Sequence, residues 1–248
     1  MQLTNLKWAY LAGAQMQGAN LFMAQMQEAD LLGARMQGAV LQSAQMQGAD
    51  LSRARLARAN FTGAEMRRAD LSFADLQGAD FFFAEMQGVD LRFANMPGVN
   101  LEYAVMEGAD LSFSRSVGSK DKPVSMESTS LNSTTNDAGA LRFADLTAAT
   151  WDEETDFRNV FLDASVTVPS AFRIRMGDPC QWVDSELSDA EFYSLWHWWI
   201  VASGNGFFWR YRFQPDNVDV TPPTPERLAE LGLTDCEPDQ PFGPMPED

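Results

Sequence analysis

The sequence predicts a repeat solenoid, a chain wound into stacked coils, followed by a smaller non-repetitive region. Three observations predict it. Every fifth residue from Leu6 to Leu111, 22 positions in all, is Leu, Met or Phe. The residue two before each of these centres, from Ala9 to Ala109, is Ala at 19 of 21 positions, with Val89 and Val99 the exceptions. The strict period stops near residue 115, and an aromatic-rich stretch without it follows. A period of five fits neither the 3.6 of a helix nor the 2 of a strand. It requires a backbone that turns a corner every five residues, with two side chains inward per corner and three outward.

The repeats read Ala29-Asp30-Leu31, Ala49-Asp50-Leu51, Ala69-Asp70-Leu71 and Ala109-Asp110-Leu111. This A-(D/N)-L-x-x pattern resembles the pentapeptide-repeat family. The match is unbroken over residues 4–115 and returns at Ala144-Asp145-Leu146, covering about 141–166. The resemblance implies an all-β solenoid: a right-handed, four-sided parallel β-helix with four pentapeptides per coil. Residues 20 apart then stack, and at strand spacing 22 pentapeptides make a rod of roughly 26 Å. One column of centres is Leu6, Met26, Met46, Met66, Met86 and Met106, and a second is all Leu, from Leu11 to Leu111. A third mixes Met and Leu from Met16 to Met96, and the fourth mixes Leu and Phe from Leu21 to Leu101. Flexible thioethers suit an interior too narrow for branched chains.

The outward positions hold the candidate site residues. Asp30, Asp50, Asp70, Asp90 and Asp110 form one predicted acidic column. Such a column either collects cations or, as Asp and Asn do at corners, hydrogen-bonds local backbone. Two residues after the centre, Phe73, Phe93 and Phe113 share one face, and Phe83 and Tyr103 share another. Earlier coils place Gly, Ser or Met there, so the aromatic ladders begin near residue 73. Contiguous exposed apolar area marks a contact surface, and these five aromatics are the candidate interaction surface. Their occupant is the protein itself, a partner protein or a second copy.

Residues 116–140 read as a polar, Ser/Thr-rich insertion that leaves the solenoid and rejoins in register at Leu141. In family members that protect DNA gyrase, loops projecting from the solenoid are important, and the similarity here is one of position alone. Residues 141–169 are expected to form a final coil and 170–234 an α+β cap over the open end. In that cap Ser188-Asp189-Ala190-Glu191 opens a helix of about 14 residues with Phe192, Leu195, Trp196 and Trp199 on one face. Phe207 to Phe213 alternates as a strand, and Thr224-Pro225-Glu226 starts a short last helix. Residues 235–248 form an acidic, Pro-rich tail.

The chain has 18 Lys+Arg and 35 Asp+Glu, a net charge of −17. This balance argues against direct nucleic-acid binding. With one histidine, His197, and two cysteines, Cys180 and Cys236, there is no Ser/His/Asp set, HExxH, CxxC or phosphate loop. The expectation is a non-enzyme without metal or cofactor. No apolar run reaches membrane-span length and no signal peptide is visible, so the chain is expected in the cytoplasm with reduced thiols. The leading functional reading is a non-catalytic protein-protein interaction scaffold. The alternative comes from the resemblance, because some members imitate B-DNA and bind type II topoisomerases such as DNA gyrase. Residues 1–115 carry nine basic and twelve acidic residues, a net of −3. A duplex of ~26 Å would show roughly 15 charges.

Overall fold

The computed structural model describes residues 4–112, 114–117, 124–126, 129, 131, 140–151, 155, 160–168, 182–202 and 223–233. Two compact units divide the chain: residues 1–160 with 166–176, and residues 161–165 with 177–248.

The first unit is a four-sided parallel solenoid. Parallel bridges join residues 20 apart without interruption, from Asn5↔Gln25 to Asn95↔Arg115. Around Leu31, Asp50 N–H donates to Ala29 O, Leu31 N–H to Asp50 O and Gly33 N–H to Ser52 O, all at 2.7–2.9 Å. A fourth bond stays within the corner: Ala34 N–H donates to Leu31 O at 2.9 Å. That closes a four-residue turn whose third residue is left-handed, with φ near +60° at Gly33 and its equivalents, the geometry of a type II turn. Each pentapeptide therefore satisfies its backbone partly within its corner and partly on the neighbouring coils, leaving the two inward side chains to fill the interior.

Four columns of centres define four faces: face 1 from Leu6 to Met106, face 2 from Leu11 to Leu111, face 3 from Met16 to Met96, and face 4 from Leu21 to Leu101. From Leu21 onward every centre, and from Ala24 onward every small residue two before a centre, is buried through Leu111. In the first coil Leu6, Leu11 and Met16 are half-buried. On face 4 the interior rings of Phe61 and Phe81 stack at 4.7 Å and 5°. That separation is one coil rise, so identical neighbours in a column stack without adjusting the backbone.

For the described residues of the expected 116–140 insertion (116–117, 124–126, 129, 131 and 140), the expectation of a segment that leaves the solenoid is corrected. These residues lie in the solenoid wall. Val124, Met126, Thr129, Leu131 and Ala140 are buried. Strand β2 (Val124–Ser125) pairs with β4 (Ala144–Asp145) as Val124↔Ala144, again 20 apart. Leu131 N–H donates to Thr150 O (2.7 Å) and Thr150 N–H to Thr129 O (2.9 Å), repeating the ladder of the earlier coils. β1 (Arg115–Val117) pairs with β3 (Ala140–Arg142) as Arg115↔Ala140, an offset of 25. Between Arg115 and Ala140 the chain is thus five residues longer than one regular coil. The polar composition misleads because the interior needs only two apolar residues in five, and Val124, Met126 and Leu131 supply them at the right spacing. Thr129 occupies an alanine position, and its hydroxyl donates to Leu101 O at 2.6 Å, which removes the cost of burying it.

Within 141–169 the ladder continues: Thr167 bridges Asp145 in parallel, Leu146 N–H donates to Thr167 O (2.8 Å) and Thr167 N–H to Ala144 O (2.9 Å). The second unit contains β5 (Phe161–Asp163). β5 pairs in parallel with β6 (Trp182–Val183), Leu162 opposite Trp182. Asp163 is fully buried; one carboxylate oxygen accepts from the Ser165 amide (3.0 Å) and the other from the Leu187 amide (3.1 Å). Helix α1 (Asp189–Ala202) has the expected 14 residues, with Phe192, Leu195 and Trp196 buried. Phe192 packs against Phe161 of β5 at 5.2 Å. Ser188 and Glu191 form the expected capping box, Ser188 N–H donating to the Glu191 carboxylate at 3.2 Å. Helix α2 (Pro225–Glu230) starts at Thr224, whose hydroxyl accepts from the Arg227 amide. Its Arg227 guanidinium reaches Glu191 of α1 at 2.8 Å. The side chains of His197 and Trp199, both cysteines, the 207–213 strand and the 235–248 tail lie outside the described residues.

Candidate interaction surface

Each outward position of the repeat has its own backbone requirement, and these requirements sort the candidate residues. The residue before the centre faces the amide of the residue after it. Asp50 Oδ1 accepts from Ser52 N–H (2.9 Å), Asp70 Oδ1 from Ser72 N–H (2.8 Å) and Asp110 Oδ1 from Ser112 N–H (2.9 Å). Asp30 and Asp90 do the same with Leu32 and Arg92. Asn60 and Asn100 substitute for Asp with equal geometry, accepting from Thr62 and Glu102 at 2.9 Å. The five aspartates do form one column, bridged pairwise from Asp30 to Asp110. Each carboxylate is aimed at its own turn. At the upper end Arg92 joins neighbouring coils, pairing with Asp90 and lying 3.7 Å from Asp110. Its guanidinium holds its proton more tightly than usual, chiefly through the hydrogen bond to Asp90 and then through the nearby carboxylates. Among the described residues no group of His, Cys, Asp and Glu is placed to hold a metal ion.

The residue two after the centre sits at positive φ, where glycine is favoured. Phe73, Phe83, Phe93 and Tyr103 hold φ of +56° to +60° there. A side chain in this conformation costs roughly 1 kcal/mol relative to glycine. Stacking offsets part of it. Phe73 and Phe93 stack at 4.7 Å and 7°, both half-buried, with the Arg53 guanidinium 5.7 Å from the Phe73 ring centre. Phe83 and Tyr103 stack at 4.8 Å and 18° and remain 54% and 39% exposed. Half a coil, ten residues, separates the two ladders, so they occupy opposite faces and are two surfaces. Phe113 lies outside the described residues.

Phe82 was not among the residues the sequence marked. It meets Phe83 edge-on at 4.5 Å and Tyr103 at 5.6 Å, making a three-ring cluster on face 4. The run Phe81-Phe82-Phe83 was the available signal: its first ring is interior, its second and third are outward. The face also carries Asp80 at the corner before Phe81, where its carboxylate caps Phe82 N–H and accepts from Asn100 Nδ2 at 3.0 Å.

A repeat that turns every five residues, caps each turn with Asp or Asn and stacks at 20 defines a quadrilateral β-helical solenoid. The family model described as Pentapeptide repeats matches in eight copies, over residues 4–42, 20–56, 44–82 and 84–115. Over residues 4–115 the chain is a member of the pentapeptide-repeat family, whose fold is a right-handed β-helix. No curated protein sequence matches it significantly. Among solved structures it is similar to HetL, a pentapeptide repeat protein involved in heterocyst differentiation regulation from the cyanobacterium Nostoc sp. Strain PCC 7120. The identity is 18%, with 64% of this chain and 90% of that one covered and a TM-score of 0.32. It is also similar to QnrB1, a plasmid-mediated fluoroquinolone resistance protein, at 18% identity, 73% and 87% coverage and a TM-score of 0.43. A pentapeptide repeat protein of the Arabidopsis thaliana thylakoid lumen aligns at 28% identity, over 33% of this chain and 63% of that one, with a TM-score of 0.24.

Proposed function

We propose that the chain is a non-catalytic scaffold that binds another protein through face 4, with Phe82, Phe83 and Tyr103 as the anchor. The observation that carries this reading is an aromatic cluster whose two exposed rings, Phe83 and Tyr103, stand at left-handed positions, where glycine would be more stable. Aromatic anchors on a pre-ordered surface lose little conformational freedom on binding. Phe73 and Phe93 on face 2 are a second, less exposed candidate. Stepwise pull-downs test the proposal. A partner retained by the wild type and by a control variant of the exposed Gln77 (Gln77→Ser), and lost with Phe83→Ser/Tyr103→Ser, supports it. Equal retention by the ladder variant defeats it.

The DNA-mimic alternative requires a strongly acidic lateral surface. The solenoid instead presents Arg35, Arg55, Arg58 and Arg115 against the single acid Asp75 on face 3. If excess protein alters gyrase supercoiling, with or without a quinolone, the scaffold reading gives way to mimicry.

A further inference from the structure

Arg35, Arg55 and Arg58 on face 3, with Arg53 on the adjoining face 2 beside Phe73, belong neither to the Phe82–Phe83–Tyr103 cluster nor to a salt bridge among the described residues. Arg35, Arg53, Arg55 and Arg58 are exposed. Among the described residues none of the four has a carboxylate within ion-pair distance, although the chain has 35 acidic residues. Arg67 and Arg92, by contrast, each pair with an acid. Arg35 and Arg55 are bridged directly on adjacent coils, so two like charges are stacked. Arg53 and Arg58 flank Arg55 within its own coil. The acid above Arg55 is Asp75, and its Oδ1 accepts from Asn95 Nδ2 (3.1 Å) and from the Gln77 amide.

All four arginines sit where the repeat prefers something else. Arg53 and Arg58 hold φ of +57° and +59°, while the same columns place Gly13, Gly33, Gly18, Gly38 and Gly78 in that conformation. Arg35 and Arg55 stand at the corner position that Asp and Asn use as caps, and a guanidinium offers no acceptor to the turn amide. Local stability is given up four times, within two neighbouring coils, at adjoining corners of faces 2 and 3. A solvated face needs no such concentration of uncompensated charge.

We propose that Arg35, Arg53, Arg55 and Arg58 form a docking site for a short acidic peptide segment of a partner protein. Charge complementarity selects the occupant: planar guanidiniums recognise carboxylates in pairs. The patch is confined to two coils and bounded by the Asp30–Asp50 column on one side and Asp75 above. That boundary admits a short segment and repels an extended polyanion such as duplex DNA.

The test uses the full chain and a fluorescein-labelled Asp/Glu decapeptide, with the corresponding Asn/Gln decapeptide and a labelled short DNA duplex as the other probes. Fluorescence anisotropy reads binding at low and at physiological salt. The acidic peptide is expected to bind saturably and more weakly as salt rises, and the amide peptide is not. The variant Arg35→Asn/Arg53→Gly/Arg55→Asn/Arg58→Gly is expected to lose at least about tenfold in affinity. Its melting temperature is expected to be equal to or above that of the wild type, because each change restores the residue the corner prefers. Phe83→Ser/Tyr103→Ser should leave peptide binding unchanged, which separates this site from the aromatic cluster. Absence of peptide binding, undiminished binding by the quadruple variant, tighter binding of the duplex than of the peptide, or a fall in melting temperature each overturns the proposal.

Discussion

At Asp70 the carboxylate accepts the Ser72 amide at 2.8 Å, and the next aspartates lie one coil above and one below. Two roles, capping and charge, are superposed there and separate by substitution. Asp70→Asn keeps the acceptor, as Asn60 and Asn100 do, and removes a like charge from the column. Its urea midpoint should equal or exceed that of the wild type. Asp70→Ala removes the acceptor and should cost about 1 kcal/mol. A destabilised Asn variant would show that the charge matters more than the turn. The left-handed aromatics pose the converse case: Phe83 and Tyr103 tolerate an unfavourable backbone while stacking at 4.8 Å. The packing of one repeat onto the next restores part of what the corner loses.

For the solenoid, the unit of tolerance is the corner. Five extra residues between Ser116 and Leu141 leave the pairing intact, since Ser116 pairs with Leu141 and Val124 still pairs with Ala144. Deleting residues 31–50 should therefore give a folded protein with cooperative unfolding and an unchanged β-type circular dichroism spectrum. Deleting only 31–33 turns every later centre outward and sets the alanines at the centre positions, and cooperative unfolding should be lost. Stacked repeats depend on nearest-neighbour interfaces, which explains the difference. In the helical unit, Glu191 caps α1 and receives Arg227 of α2. Its carboxyl is held below its ordinary value of 4.5, first by hydrogen bonds from Ser188 and then by Arg227. A depressed folded value means stability that is present above pH 4.5 and lost as the pH falls through the folded value. Acid titration of unfolding should show this loss in the wild type, and Glu191→Gln should flatten it. An unchanged acid profile would remove the box from the stability of α1.

Over the whole molecule, charge and apolar surface are distributed unevenly. Residues 1–115 carry only −3 of the total −17, and within them face 3 is basic while face 2 holds the aspartate column. A rod with faces of different character suits attachment at more than one surface better than uniform electrostatic mimicry. Simultaneous loss of both proposed interactions in the two sets of variants would imply a common structural defect. Independent loss would establish two separate surfaces. Among the described residues no helix is long and apolar enough to cross a membrane.

The five-residue period determined the solenoid, its inward residues and the column membership of every candidate through Tyr103. Those properties follow from chain geometry, because a corner repeated at fixed spacing leaves only one way to stack. Local chemistry likewise made both helix starts legible, since Ser188 and Thr224 act on amides three residues away. Composition could not show that the described residues of 116–140 contribute to the wall, because Ser and Thr conceal a pattern carried by few apolar residues. Nor could one dimension show that Phe82 joins Phe83 and Tyr103, or that four arginines have no carboxylate within ion-pair distance among the described residues. Those outcomes depend on which side chains from adjacent coils reach one another across about 4.8 Å, a distance that exists only once the chain has wound.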